Sequence, residues 1–463
     1  MPTDLIQQTL RDSGRVRWIA VLILSFTMFA AYMFTEVISP LKPILERTYG
    51  WDPTDFGTVT SAYGLFNVFF FMLIIVGYLL DKFGIRFSTL ASAGIMIIGA
   101  LMKWMAFKGV FSPENEIDIF GFFQLKEQVF FAMLGYAIFG IGSEYAGIVV
   151  TKAIVKWFHG YEVALALGIQ VAIARLGSFV PLAFGALVAA RTDVPFWILV
   201  STLFLIAGLI AFFYYNLMDK KLDRQVKETL PASDEEEFRI GDIRVIISNR
   251  GFWLIALLCL LFYAAVFPFY KYGPDLMVNK FGVSEEWAGL LPSLVPFGTM
   301  LLTPLFGSLY DNKGRGASIM ILGALFLVVV HAIFFLPFVT SVVVAFFNVL
   351  LLGIAFSLVP SAMWPSVAKI IPEKQLGSAY ALIFWIQNIG LWGIPLLVGI
   401  VLDKTNPGVA AAKQAGENVT YNYTTTWTIF LLLAILAILA ALLLKAEDRK
   451  KGYGLELPNI KKN

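Results

Sequence analysis

Runs of about 20 predominantly apolar residues recur along this chain, and nothing else in the sequence narrows its folds so much. They lie near 18–40, 56–80, 87–107, 128–157, 162–189 and 194–218, then near 250–278, 287–310, 316–337, 340–370, 375–402 and 424–445. Roughly 20 such residues make a helix long enough to cross a bilayer. Only 14% of the 463 residues are charged and 59% are apolar, too few charges for a soluble protein of this size. The first run, from Trp18, is too long for the apolar part of a signal peptide and reads as a retained span. A net charge of +3 gives no basis for nucleic-acid binding. The single cysteine, Cys259, excludes an internal disulfide, and His159 and His331 lack metal-site spacing. No cofactor is expected, and no nucleophile–base or metal constellation marks an enzyme.

The runs fall six on each side of a charge-dense stretch, Asp219 to Arg250. The sequence therefore predicts an all-α membrane protein of twelve transmembrane helices in two pseudo-symmetric six-helix bundles. Residues 1–218 form the first bundle, 219–249 a partly disordered connector, 250–445 the second bundle and 446–463 a tail. Arg11, Arg15, Arg17, Lys82, Arg86, Lys313, Arg315, Lys445 and Arg449 all fall on one side, which places that side and both termini in the cytoplasm.

An internal repeat supports the two-bundle reading. Gly77-Tyr-Leu-Leu-Asp81-Lys-Phe-Gly84-Ile-Arg86 follows the second run, and Gly307-Ser-Leu-Tyr-Asp311-Asn-Lys-Gly314-Arg315 follows the eighth. Gly77 and Gly307 would let helices approach closely, Asp81 and Asp311 would cap a helix or pair with a cation, and Gly84 and Gly314 would turn the chain. These residues read as gating elements. The paired loops resemble the signature of the major facilitator superfamily.

The sharpest polar signal is a pair of charges inside the fourth and fifth runs. Glu144 lies 15 residues before His159, and Arg175 lies 15 after Gly160. In a hairpin turning at His159-Gly160 both sit ~22 Å from the turn, well inside the bilayer. Each such charge costs about 2.5–3.5 kcal/mol at a helix centre, so both should face the bundle interior. They could form a structural ion pair. Alternatively they clamp a zwitterion, Glu144 taking an ammonium and Arg175 a carboxylate through its planar fork. Gln170, Tyr63 and Asn67 in the first half, and Tyr263, Tyr270, Trp364, Gln387 and Asn388 in the second, are further candidates for the substrate cavity. Lys271 is placed there too, and Lys152 either balances Glu144 or lines the cavity. Glu36, near the outer end of the first run, either binds a proton or reaches the lipid headgroups. Glu36 and Glu144 are the candidate proton sites.

A more specific resemblance rests on longer blocks. Phe139-Gly-Ile-Gly-Ser-Glu144, Trp157-Phe-His-Gly-Tyr-Glu162 and Ala174-Arg175-Leu-Gly-Ser178 form one. Met363-Trp364-Pro-Ser-Val-Ala-Lys-Ile-Ile-Pro372, running into Ile386-Gln-Asn388-Ile-Gly390, forms another. Together they resemble the animal lysosomal dipeptide transporters of the major facilitator superfamily, over roughly residues 15 to 445. The resemblance implies an alternating-access carrier of short peptides, with Glu144 at the peptide amino end and Arg175 at the carboxyl end. Transport would be uniport or proton-coupled, by a monomer in the bilayer. Lys152 and Lys271 depart from the family, where uncharged residues are expected. With no acidic-dileucine signal at the amino terminus, a prokaryotic plasma-membrane homologue is expected; a eukaryotic source would place it in the lysosomal membrane. The alternative is a proton-coupled carrier of organic anions such as sugar acids or monocarboxylates.

Overall fold

The computed structural model describes residues 10–119, 121, 123–159, 161–227, 240–372 and 375–459. The first half contains α1 (Gly14–Thr35), α2 (Lys42–Tyr49), α3 (Pro53–Ser61), α4 (Leu65–Phe69), α5 (Met72–Phe107), α6 (Glu127–Trp157), α7 (Val163–Arg191) and α8 (Val194–Lys227). A two-stranded antiparallel hairpin, β1 (Glu116–Ile119) and β2 (Phe123–Lys126), stands between α5 and α6. After α9 (Ile240–Ser248) come α10 (Arg250–Phe281), α11 (Leu290–Lys313), α12 (Gly316–Phe335), α13 (Val342–Ile370), α14 (Leu376–Thr405), α15 (Val409–Gln414) and α16 (Thr424–Lys451).

Eleven helices among the described residues are long and apolar enough to cross a membrane. The twelfth crossing is made in pieces, which corrects the expectation of one helix over 56–80. It runs through α3, a 3-10 turn (Ala62–Gly64), α4 and the first part of α5. The breaks have local causes. The Thr60 and Ser61 hydroxyls bond back to the carbonyls of Phe56 and Thr58, Gly57 and Gly64 hold the helix weakly, and Phe71 sits in the left-handed region at φ 52°. Within α5 the chain reverses at Gly84 (φ 74°, ψ 176°), so the next crossing begins at once. Of the expected connector, its first residues continue α8 and its last form α9; the part expected to be disordered, 228–239, lies outside the described residues.

The two halves repeat one packing scheme. In the first, α1 packs on α7 and α8, and α5 on α6 and α8. In the second, α10 packs on α14 and α16, and α12 on α13 and α16. The halves meet where α7 crosses α11 and α3 crosses α14. Small residues allow this closeness: a Cβ on Gly99 would lie 2.4 Å from the Gly135 carbonyl, and one on Gly289 2.0 Å from the Leu182 carbonyl. Outward-facing apolar residues such as Leu22, Ile98, Ile210, Leu305, Phe347 and Leu439 remain exposed, the surface a bilayer covers.

Candidate functional site

A cavity of about 380 Å³ lies between the halves. Tyr32 of α1, Glu36 just beyond its end, Tyr63 of the broken crossing, Tyr136 and Glu144 of α6 and Arg175 of α7 line it from one side. Tyr263 and Lys271 of α10, Phe356 and Trp364 of α13 and Gln387 of α14 line it from the other.

Two glycines set the position of the charged pair. A Cβ on Gly140 would stand 2.2 Å from the Tyr63 carbonyl oxygen, so glycine there lets the broken crossing lie directly on α6. That brings the Tyr63 hydroxyl to the Glu144 carboxylate, to which it donates at 2.9 Å. A Cβ on Gly177 would meet the Phe29 carbonyl at 2.3 Å, so α1 and α7 nearly touch at the next turn. The Arg175 guanidinium is thereby held among rings, 4.9 Å from the centroid of Phe356 and 5.8 Å from those of Tyr32 and Phe267. Its Nη1 is buried and has no hydrogen-bond partner among the described residues. Arg175 and Glu144 form no ion pair with one another within 4.0 Å; each faces the cavity with bonding capacity left over.

A second charged pair lines the same cavity. Lys271 Nζ donates to Glu36 Oε2 (2.8 Å) and to the Thr35 carbonyl (2.7 Å), and stands 3.4 Å from the Tyr136 hydroxyl. Glu36 also accepts from Ser39 Oγ at 2.6 Å and is 1% exposed, so it does not reach toward headgroups. The aromatic wall is bonded too: Trp364 Nε1 donates to Tyr263 Oη at 3.1 Å, and the Trp364 ring stacks on Phe384 with centroids 4.8 Å apart.

Four expected cavity residues lie elsewhere. Asn67 and Asn388 are buried against each other, Nδ2 to Oδ1 3.4 Å, where they tie α4 to α14. Tyr270 packs behind the cavity on Phe267 and Phe356. Gln170 is buried within the helix packing and is absent from the cavity wall. Trp385 serves structure: its Nε1 donates to the Val68 carbonyl (3.0 Å), and it stacks on Phe71 beside the helix break. Lys152 is one helical turn from the end of α6 and bonds Asp81 at 3.1 Å, so it neither lines the cavity nor balances Glu144.

The repeated loops lie on the face that carries Leu10 and Asn459, the two ends of the described residues. Arg86 pairs with Asp223 at 2.8 Å, and Lys156 with Asp219 at 2.7 Å. Asp311 accepts from Asn459 Nδ2 at 2.7 Å, and Gly314 (φ 70°) lies under the backbone of Glu456 to Pro458. Arg315 also sits in the left-handed region at φ 65°, and its N–H donates to the Glu456 carbonyl. The close approach expected at Gly77 and Gly307 is not there: a Cβ on either would meet nothing within 4 Å.

Hydrogen bonds and ion pairs that join the halves cluster on the opposite face. Lys42 lies between Asp275 (3.0 Å) and Glu46, with all three side chains almost fully buried. Tyr423 donates to Asp275, and Tyr421 to Glu46 at 3.0 Å. Burial and the Glu46 carboxylate push the Tyr421 phenol up. Arg47–Glu285 (2.9 Å) and Thr54–Asp403 (3.3 Å) extend the seal. Lys42, Lys103 and Asp275 were not singled out from the sequence, although a charge inside an apolar run marks Lys103 and Asp275 there.

The model of the Major Facilitator Superfamily matches residues 24–395. The chain is similar to the lysosomal dipeptide transporter MFSD1 of Homo sapiens, 28% identical over 403 residues that cover 84% of this chain and 80% of that protein. It is 25% identical to the same transporter of Danio rerio over 456 residues, covering 95% and 89%. The inward-open xylose transporter XylE from E. coli superposes with a TM-score of 0.67 at 15% identity over 93% of this chain and 95% of that one, a likeness of fold.

Proposed function

This chain belongs to the Major Facilitator Superfamily and is a membrane transporter, and we propose that its cargo is a short peptide, most simply a dipeptide, held by its two charged ends. The observation that carries the reading is that Glu144 and Arg175 line one cavity without pairing, the guanidinium keeping a buried N–H unbonded. An uncompensated buried donor costs about 1–3 kcal/mol, which a cargo carboxylate recovers through the arginine fork. The cargo ammonium takes the Glu144 carboxylate, whose orientation Tyr63 fixes. A dipeptide spans at most ~7 Å of backbone, which suits two opposite charges in one cavity that do not touch. The names of the similar animal proteins support the same class of cargo.

The face bearing the termini is taken as cytoplasmic, because the basic loops gather there. The halves, 1–218 and 250–445 with 219–249 between them and the tail 446–463 beyond, then rock about the cavity, and the seal around Lys42 closes the outer side. When the inner side closes instead, the loops at Asp81 and Asp311, with their Gly77, Gly84, Arg86, Gly307, Gly314 and Arg315, stabilise the outward-facing state. Transport is uniport or proton-coupled; Glu144 is the freer candidate proton site, since Glu36 is held by Lys271. A monomer suffices for this scheme.

The test is the melting temperature of the purified protein against dipeptides, amino- and carboxyl-blocked dipeptides, single amino acids and organic acids. A ligand at 100 times its Kd stabilises by about 2.7 kcal/mol, a readable shift. Free dipeptides should raise the melting temperature and blocked ones should not; Glu144→Gln should weaken dipeptides by roughly 10- to 100-fold through the lost charge-assisted bond. A shift with organic acids alone would refute the peptide reading and leave Arg175 as the centre of an anion site.

A further inference from the structure

The wall that α14 gives the cavity consists of Phe384, Gln387, Leu391 and Pro395, a stripe at helical spacing whose polar member is Gln387. Gln387 is 6% exposed, and its side-chain amide makes no hydrogen bond with the described residues. Its neighbours on the second half's wall are engaged. Lys271 gives its three N–H to Glu36, the Thr35 carbonyl and the Tyr136 hydroxyl, Thr299 bonds the Pro296 carbonyl, and Trp364 bonds Tyr263. At this level α14 lies directly on the broken crossing: a Cβ on Gly64 would stand 2.9 Å from the Asn388 carbonyl. Gln387 is one residue from that contact on its side, and Tyr63, which orients Glu144, is one residue from it on the other. A buried amide with free bonding capacity therefore opens into the cavity close to Tyr63.

We infer that Gln387 reads the peptide link of the cargo: its Oε1 accepts the peptide N–H and its Nε2 donates to a carboxylate oxygen of the same cargo residue, so that molecules lacking that N–H are rejected. The inference rests on the peptide reading above. In one extended residue the N–H and the C=O point the same way, and the two arms of a side-chain amide match them. The acceptors on the wall assign the role. Glu144 takes the cargo ammonium, and Glu36 already accepts from Lys271 and Ser39, which leaves the Gln387 carbonyl for the N–H. A buried N–H left without an acceptor costs roughly tenfold or more in affinity. Glu144 and Arg175 both belong to the first half, so the bond to Gln387 also lets the cargo bridge the two halves. The cargoes excluded are esters, N-methylated peptides and dipeptides whose second residue is proline.

The experiment measures Kd by calorimetry for Ala-Ala, its ester analogue alanyl-lactate and Ala-Pro, on the intact protein, on Q387M and on Q387E. Both analogues keep the two charged ends and lack the peptide N–H; Ala-Pro keeps a full amide carbonyl. The native protein should bind Ala-Ala about tenfold or more tightly than either analogue. In Q387M, Ala-Ala should weaken to the level of the analogues, whose own affinities change little, and both ratios should fall toward one. Q387E keeps the acceptor and should keep the preference, its charge shifting all three ligands together. A merely structural role for Gln387 would weaken all three alike in Q387M and leave the ratios alone. If Q387M does not fold, the native protein and Q387E still carry the test, since both must favour Ala-Ala. Equal native affinity for Ala-Ala and either analogue overturns this inference alone, as does a preference that survives in Q387M or is lost in Q387E. Binding of no dipeptide overturns the peptide reading and this inference with it.

Discussion

Replacing Asp275 by Asn should loosen the seal on the face opposite the termini. Asp275 Oδ2 takes Lys42 from the other half at 3.0 Å, both side chains being almost completely buried, and its Oδ1 accepts from Asn279 at 3.0 Å. Asparagine keeps the size and an acceptor for the Tyr423 hydroxyl, but removes the charge. At 3.0 Å and an effective dielectric of 20 the lost attraction is about 5 kcal/mol. Lys42 keeps Glu46 and the Tyr421 ring, 4.2 Å away, so a net loss of roughly 3 kcal/mol is expected, the low end for breaking a buried pair. Since the pair joins the halves, the loss falls on the sealed state alone. Three kcal/mol shifts a two-state equilibrium by roughly 100-fold, turning a 99:1 population into one that is nearly even. Spin labels at Arg47 and Glu285 would report it. These side chains touch across the seal at 2.9 Å but are 58% and 37% exposed, so losing their own ion pair costs little. Electron–electron distance measurements should show one short distance in the parent and a second, longer population in D275N. A D275N protein that folds and gives an unchanged distribution would refute the reasoning.

Three further outcomes follow from the packing. Gly140→Ala puts a Cβ 2.2 Å from the Tyr63 carbonyl, which is backbone and has little room to yield; a loss of about 1–3 kcal/mol and a lower melting temperature are expected, together with weaker dipeptide binding as Tyr63 moves off Glu144. Gly77→Ala meets nothing within 4 Å and should be neutral or stabilising by up to ~1 kcal/mol, so equal effects of the two changes in a thermal melt would count against the geometry. A chain ending at Gly452 loses the Glu456 bonds to Ser318 N and Oγ and the Asn459 bond to Asp311, and should show faster proteolysis near 311–318; an unchanged digestion pattern would mean the tail does not hold that loop.

The transmembrane class, the two-half organisation and the two cavity charges were legible in the amino-acid order, because each follows from local quantities. Run length against bilayer thickness makes the spans, and the cost of a charge in lipid turns Glu144 and Arg175 inward. The repeated loops were legible for the same reason, a fixed spacing of glycine and aspartate after corresponding helices. What chain order does not contain is which glycine touches what: Gly77 and Gly140 look alike in sequence, yet one faces open space and the other the Tyr63 backbone. Nor does it say which polar residues at helical spacing face the cavity, since Tyr63 and Asn67 are four apart and only Tyr63 lines it. Partners far apart in the chain, such as Lys42 with Asp275 and Lys271 with Glu36, exist only once two halves are packed together. Local periodicity fixes the helices; the pairing of charges across them depends on rotations and depths that only the assembled bundle sets.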